Sequence, residues 1–170
     1  RAQRNFLLLY LAQALLIAFF SIPSLLAAAN PHPLSMLDGL GVAIWLMGIG
    51  GESVADAQLH RFRSQPANAG RTCSQGLWNY SRHPNYFFEW LHWFAYVAWA
   101  LPYDWGWLSL MAPVIMLYLL FSVTGIPYTE KCALLSRGDE YRTYQERTHA
   151  FFPFFHKTAH TRGASKKEVT

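Results

Sequence analysis

The sequence predicts an all-α integral membrane protein, a bundle of four transmembrane helices followed by a cytoplasmic amphipathic segment. Hydrophobic residues make up 52% of the 170 residues and charged residues only 14%, whereas soluble domains carry about 25% charged residues. Long uncharged segments recur along the chain, and about 20 apolar residues suffice to cross a bilayer. Lysine and arginine gather on one side of these segments, as is typical of the cytoplasmic loops of membrane proteins.

The four predicted spans follow one another along the chain. Residues 5–37 contain no charge, and the apolar stretch 6–29 is span one. Span two covers residues 36–55, where small residues permit close helix packing. Residues 84–101 carry one formal charge and residues 105–129 carry none, so they are spans three and four.

Positive charge is sorted to one side of these spans. All 14 lysines and arginines lie in the N-terminal residues, in the loop 56–83 or in the tail after residue 129, and the connections 30–35 and 102–106 contain none. Because cytoplasmic loops carry the excess of positive charge, we expect the loop 56–83 and the C-terminus to face the cytoplasm. This sidedness accounts for the net charge of +4 without nucleic acid as a partner.

The length of the chain allows a single domain. We expect one transmembrane domain at residues 1–157 and a polar basic tail at residues 158–170. The first residue is Arg1 and no signal-peptide pattern follows, so we expect a piece of a longer protein that lacks N-terminal helices. Cys73 and Cys132 show neither a disulfide framework nor metal-ligand spacing, which predicts two free thiols.

A stripe of polar residues runs along the third span. Asn85, Glu89, His92 and Tyr96 fall on one side of a helix that turns by about 100° per residue. Polar groups are costly within a membrane and commonly mark a functional site. Glu89 and His92 also match the Glu-x-x-His spacing of di-iron bundles, but such a site needs a second copy that is absent here, so we expect no metal.

A second polar stripe continues from the end of span two. Glu52, Asp56, His60 and Arg63 are spaced by four, four and three residues and share one arc of a continuous helix. On a surface helix such residues form ion pairs, whereas at membrane depth they indicate a binding site. Both interpretations stay open on the residues alone.

The start of span three is a candidate anion site. Pro84 suits the first turn of a helix, where unpaired N–H groups and the helix dipole favour anions. Arg82 lies just before it and can hold a phosphate by two hydrogen bonds. The alternative function of Arg82 is to anchor the loop at the membrane interface.

The tail after span four is amphipathic. Gly125 and Pro127 are expected to end that span, and charged residues then alternate with Leu134, Tyr141 and Tyr144. Such a pattern is typical of a cytoplasmic segment that lies against the membrane or against the bundle. A plain interfacial anchor would show the same pattern.

Three separated runs carry a resemblance to a known family. ESVADAQLHRFR, GLWNYSRHPNYFFEWLHW and GIPYTEKCALLSRGDEYRTYQERTHAFFPF occur in this order. Together, over residues 48–154, they resemble the C-terminal half of the steroid 5-alpha-reductase-like membrane proteins, and in particular a bacterial branch known as a domain of unknown function. The resemblance implies a reductase of the bacterial inner membrane that binds NADPH from the cytoplasmic side. Its substrate would be a steroid or another hydrophobic lipid, with hydride transferred to a polarised C=C bond.

The resemblance also implies which residues bind the cofactor. Asp56 and Arg63 match residues at its adenosine and phosphate part, and Asn85 and Glu89 match residues beside the nicotinamide carboxamide. The chain departs from the steroid enzymes in two places: Glu52 stands where they have Asn, and residues 82–84 replace a run of the Ser-Gly-Ala type. The implied cofactor-binding residues are Glu52, Asp56, Arg63, Arg82, Asn85, Glu89, Glu130, Tyr141 and Tyr144, of which the last three match the closing tail. No catalytic acid is identified, because in the steroid enzymes that function belongs to N-terminal helices.

Two other functions stay open. The run from Arg82 to Tyr86, and Glu130, are also similar to membrane methyltransferases that bind S-adenosylmethionine, such as isoprenylcysteine carboxyl methyltransferases. The pair Asn85 and Glu89, together with the Gly-Leu-Trp run, favours the reductase. In a non-catalytic membrane subunit, by contrast, the same polar stripes would only hold helices together. The sequence identifies neither the lipid substrate nor the oligomeric state.

Overall fold

The computed structural model of the protein describes residues 2–123 and 125–153, and its regular elements in these ranges are helices. A single isolated bridge joins Ser81 to His149 within the described residues. The all-α prediction is therefore confirmed, while the tail predicted at residues 158–170 lies outside the described residues. The helices are α1 Ala2–Ala28, α2 Met36–Arg63, α3 Pro84–Ala100, α4 Met111–Ser122, α5 Ile126–Arg137 and α6 Asp139–Arg147.

Three stretches are long and apolar enough to cross a membrane, namely the helices Gln3–Ala28 and Met36–Arg63, and the stretch Gly106–Arg137, which is divided among several helices. They correspond to the first, second and fourth predicted spans, and they make the chain a membrane protein. The third predicted span forms α3, which has 17 residues and a length of about 26 Å at 1.5 Å per residue.

The fourth predicted span is interrupted rather than continuous. A short 3₁₀ helix, Gly106–Leu110, precedes α4, and α4 ends at Ser122 instead of running to residue 129. A Cβ at Gly125 would lie 2.7 Å from the carbonyl oxygen of Leu120, so the chain turns where only glycine fits. Pro127 then stands in the first turn of α5, where a missing N–H is harmless.

α2 and α3 pack as an antiparallel pair through glycines of α2. A Cβ at Gly48 would lie 2.9 Å from the Cα atom of His92, which shows that the two backbones approach closely. Small residues allow this approach, as expected for membrane helices. The facing pairs are Gly41 with Trp99, Gly48 with His92, Gly51 with Phe88, and Asp56 with Asn85. This register places the polar stripe of α3 opposite that of α2.

Replacing Gly48 with alanine is expected to destabilise the protein by about 1–3 kcal/mol, because the added methyl group forces the two helices apart. Gly50 is the matched control, since a Cβ at that position of α2 meets nothing within 4 Å. Gly50→Ala should be neutral or slightly stabilising, because alanine is the better helix former. Thermal unfolding in detergent compares the two variants, and equal melting temperatures would contradict the close packing.

The tail after α4 folds back onto the bundle. α5 and α6 meet at Gly138, whose φ of 56° lies in the left-handed region that favours glycine. Beyond α6, the backbone N–H of Arg82 donates to the His149 carbonyl at 2.8 Å. The hydroxyl of Ser81 donates to the Phe151 carbonyl at 2.8 Å. The described part of the tail therefore lies against the loop that leads into α3.

Candidate functional site

A cavity of about 350 Å³ lies where α2 ends, α3 begins and α5 and α6 close over them. Ligand sites commonly measure about 300–1,000 Å³. Six of the nine candidate cofactor residues line it, namely Asp56, Arg63, Arg82, Asn85, Tyr141 and Tyr144. Glu52, Glu89 and Glu130 are not in its lining.

The wall of this cavity is rich in guanidinium groups. Arg63, Arg82 and Arg137 line it, against the single carboxylate of Asp56. Arg82 is neutralised by an ion pair with Glu130. The lining therefore keeps an excess of about one positive charge, which favours an anionic ligand.

Arg82 is held in place by the tail. Its side chain is only 9% exposed, and its Nε atom donates to Glu130 Oε1 at 2.6 Å. Its Nη1 atom donates to the carbonyls of Gln145 at 3.1 Å and Thr148 at 2.6 Å. Its Nη2 atom takes part in none of these bonds. The guanidinium is thus buried within the protein, so Arg82 does not act as an anchor at the membrane interface.

Glu130 organises the residues behind the cavity wall. In addition to the bond from Arg82, it accepts a hydrogen bond from Gln145 Nε2 at 2.7 Å. The Nε2 atom of His83 lies 3.4 Å from Glu130 Oε1. The resemblance implies that Glu130 contacts the cofactor, whereas the structure places it against Arg82, one layer behind the cavity.

Asp56 and Asn85 meet across the α2–α3 pair. Asn85 Nδ2 donates to Asp56 Oδ1 at 3.1 Å, and this bond fixes the orientation of the amide because a carboxylate only accepts. The Oδ1 atom of Asn85 is buried and has no hydrogen-bond partner among the described residues. No side chain caps the start of α3, where Asn85 lies. The site therefore presents an unused acceptor beside an uncapped helix start.

Glu52 and Glu89 lie deeper in the bundle. Glu89 is within electrostatic reach of both Glu52 and Asp56, as the facing stripes of α2 and α3 require. A line of acidic residues therefore extends from Asp56 at the cavity to Glu52 and Glu89 inside the bundle. His60, the remaining candidate of the α2 stripe, is exposed and does not line the cavity.

Two tyrosines of α6 form the far wall of the cavity. Burial, and then the nearby charge of Glu130, raise the pKa of Tyr141 to about 12. Burial likewise raises the pKa of Tyr144, whose hydroxyl donates to the Trp78 carbonyl. The guanidinium carbon of Arg137 stands 5.2 Å from the centre of the Tyr141 ring. Both phenols are therefore neutral at physiological pH.

Comparison with protein families matches residues 1–148 to a family described as a protein of unknown function, DUF1295. The chain belongs to this family. Searches among curated proteins and among solved structures returned no match. The matched range includes every residue that lines the cavity, so the site is part of the DUF1295 domain.

Sequence reasoning missed several polar residues of this DUF1295 site, among them Arg137, Thr72 and Thr129. Arg137 lines the cavity from the last turn of α5, and its position just before Gly138 gave no sign of a ligand contact. Thr72 lines the cavity from the loop before α3, and the residue is 8% exposed. No periodicity extends into that loop, so no sequence signal identified it.

A second cavity, of about 430 Å³, opens on the opposite face of α2. It is the larger of the two, but none of the nine candidate residues lines it. Cys73, a free thiol like Cys132, borders both cavities. We therefore take the smaller cavity, where the charged and unpaired groups converge, as the candidate site of the DUF1295 protein.

Proposed function

We propose that this DUF1295 protein is a membrane-embedded reductase that binds NADPH in the 350 Å³ cavity. Its substrate is a steroid-like or other lipid molecule with a polarised C=C bond. The observation that carries the proposal is the lining of one cavity by guanidinium groups and by Asn85, whose buried amide oxygen has no hydrogen-bond partner among the described residues. The phosphates of NADPH are complementary to the guanidinium groups, and its carboxamide N–H₂ group is complementary to the amide oxygen.

The cationic wall suits the phosphates. Arg63 has no hydrogen bond or ion pair within the described residues, and Arg137 has its ring contact with Tyr141. Guanidinium groups bind phosphate oxygens through charge-assisted hydrogen bonds. The uncapped start of α3 adds backbone N–H groups and the positive end of the helix dipole.

The unpaired amide oxygen suits the nicotinamide. A carboxamide N–H₂ group can donate to Asn85 Oδ1, which otherwise stays buried without a partner. When bound, NADPH supplies the hydride, and the residues of this chain place it. Glu89 lies one helical turn beyond Asn85 and extends the polar stripe into the bundle. The 350 Å³ cavity is at the small end of the range for ligand sites, so a dinucleotide occupies it in part.

The methyltransferase alternative has an observation in its favour. The residues shared with those enzymes converge in space, because Glu130 contacts both Arg82 and His83. The ring of His83 also stacks on that of Tyr86, with centres 5.2 Å apart. S-adenosylmethionine offers one carboxylate to these guanidinium groups but is a cation overall, so it matches a positively charged wall less well than the phosphates of NADPH do. The reductase is therefore the better fit to the cavity.

Ligand-dependent unfolding distinguishes these functions. NADPH at 100 times its dissociation constant is expected to stabilise the purified protein in detergent by about 2.7 kcal/mol, seen as a higher melting temperature. S-adenosylmethionine at the same concentration is the control and should leave the melting temperature unchanged. The reverse pattern would establish the methyltransferase, and no response to either ligand would favour a non-catalytic membrane subunit.

We also propose that α3 crosses the membrane, which brings the number of spans to four, and that the cavity faces the cytoplasm of a bacterial inner membrane. Cys132 is free and exposed on α5, near the cavity end of the bundle, whereas Cys73 is buried. A membrane-impermeant maleimide is therefore expected to label Cys132 in inside-out vesicles and not in intact spheroplasts, because α5 lies on the cytoplasmic side. The variant Cys132→Ser should remove the label, and labelling in spheroplasts would contradict the proposed orientation.

A further inference from the structure

Thr72 lines the cavity and carries a buried hydroxyl group without a hydrogen-bond partner among the described residues. Thr72 is 8% exposed, and the atom concerned is its Oγ1. The residue itself is held firmly, because its backbone N–H donates to Glu140 Oε1 at 3.0 Å. This backbone bond to α6 does not involve the hydroxyl.

An unpaired buried hydroxyl is unusual. Most buried polar side-chain atoms in folded proteins have a hydrogen-bond partner, and an exception calls for an explanation. A threonine in a loop commonly bonds a nearby backbone group, which Thr72 does not do here. We therefore look for the hydrogen-bond partner of this hydroxyl in the cavity that Thr72 lines.

The neighbours of Thr72 indicate an anion. Arg63 and Arg137 line the same cavity, and Arg63 acts electrostatically on Cys73, the next residue after Thr72. Glu140 is exposed, bonds the backbone of Thr72 and is not in the lining. A phosphate oxygen is an acceptor that both a hydroxyl and these guanidinium groups can bind.

We propose that Thr72 is a phosphate-binding residue, whose Oγ1–H donates to a phosphate oxygen of the nucleotide in this cavity. This inference rests on the proposed binding of NADPH and identifies a contact that determines specificity for phosphate-bearing ligands. It also explains why a buried hydroxyl lacks a partner within the described chain.

Two variants at this position test the proposal. Thr72→Val keeps the shape of the side chain and removes the hydroxyl, so NADPH should bind at least about tenfold more weakly, as expected for loss of a hydrogen bond to a charged group. Thr72→Ser keeps a hydroxyl and should bind within about threefold of the wild type. Isothermal titration calorimetry of the purified full chain in detergent measures both.

NADH, which lacks the 2′-phosphate, locates the contact. A loss confined to NADPH assigns the hydroxyl to the 2′-phosphate. An equal loss for NADH and NADPH that also appears with ADP and not with adenosine assigns it to the pyrophosphate, whereas a loss that persists with adenosine would overturn the phosphate contact. Wild-type affinity for NADPH in Thr72→Val would overturn it.

The melting temperature without ligand separates a binding contact from a structural one. Thr72→Val should melt no lower than the wild type, because the variant only removes an unpaired hydroxyl. A lower melting temperature without ligand, together with weaker binding, would show that the hydroxyl supports the fold and would overturn the proposal. If the wild type itself binds no NADPH, the proposed function fails and this inference fails with it. If the wild type binds and the valine variant binds equally, only this inference fails.

Discussion

Replacing Glu130 with alanine is expected to destabilise the folded protein by about 3 kcal/mol, the lower part of the range for breaking a buried ion pair. The carboxylate is 14% exposed and its partner Arg82 is 9% exposed. Without Glu130, the guanidinium keeps neutral partners, among them the carbonyl oxygens of Gln145 and Thr148. An uncompensated buried charge remains. Thermal unfolding in detergent measures the loss.

An exposed ion pair in the same tail provides the matched control. Arg142 and Asp139 approach to 3.4 Å, but their side chains are 70% and 95% exposed. Such pairs contribute little, because water and salt screen the charges, so Asp139→Ala should leave the melting temperature almost unchanged. A Glu130→Ala variant as stable as Asp139→Ala would show that Arg82 does not depend on its partner.

The double variant Arg82→Met, Glu130→Leu tests the physical reason. Apolar residues of similar size often replace a buried pair at little cost, since neither charge is then left alone. We expect the double variant to be more stable than Glu130→Ala. Its NADPH affinity should nevertheless be lower than that of the wild type, because Arg82 is part of the cavity wall. The double variant is therefore expected to recover stability without recovering NADPH binding.

The helices and the polar stripes could be predicted from the sequence because both depend on local patterns. Span length follows from uncharged segments, and the continuous helix through Glu52, Asp56 and Arg63 follows from their spacing. The structure confirms that helix as α2, Met36–Arg63. The antiparallel register of α2 and α3 then brings Asp56 to Asn85, as two facing stripes require.

The remaining features depend on contacts between distant parts of the chain. Arg82 and Glu130 are 48 residues apart, and no local pattern indicates that they pair. Thr72 lies in a loop whose backbone is hydrogen-bonded by Glu140 of α6, 68 residues away. The early end of α4 depends on the packing of Gly125 against Leu120. Each of these features requires the tertiary structure.

Replacing Arg63 with alanine is expected to weaken NADPH binding by about 10- to 100-fold, the effect of losing one hydrogen bond to a charged group. Among the guanidinium groups of the cavity, Arg82 is already paired with Glu130 and Arg137 stacks over Tyr141. Arg63 has no such partner within the described residues, so a ligand phosphate can bind it without displacing an existing contact. Titration calorimetry with NADPH and NADH measures the loss.

Arg61 is the matched control for Arg63. It carries the same charge two residues away on α2, but it borders the larger cavity on the opposite face. Arg61→Ala therefore removes the same long-range attraction without removing a contact in the site, and it should change NADPH affinity by less than about threefold in ordinary salt, where exposed charges are screened. Similar losses of NADPH affinity in both variants would show that Arg63 acts only through long-range electrostatic attraction. A loss in Arg63→Ala that is larger for NADPH than for NADH would place this guanidinium at the 2′-phosphate, because that group is the one that NADH lacks.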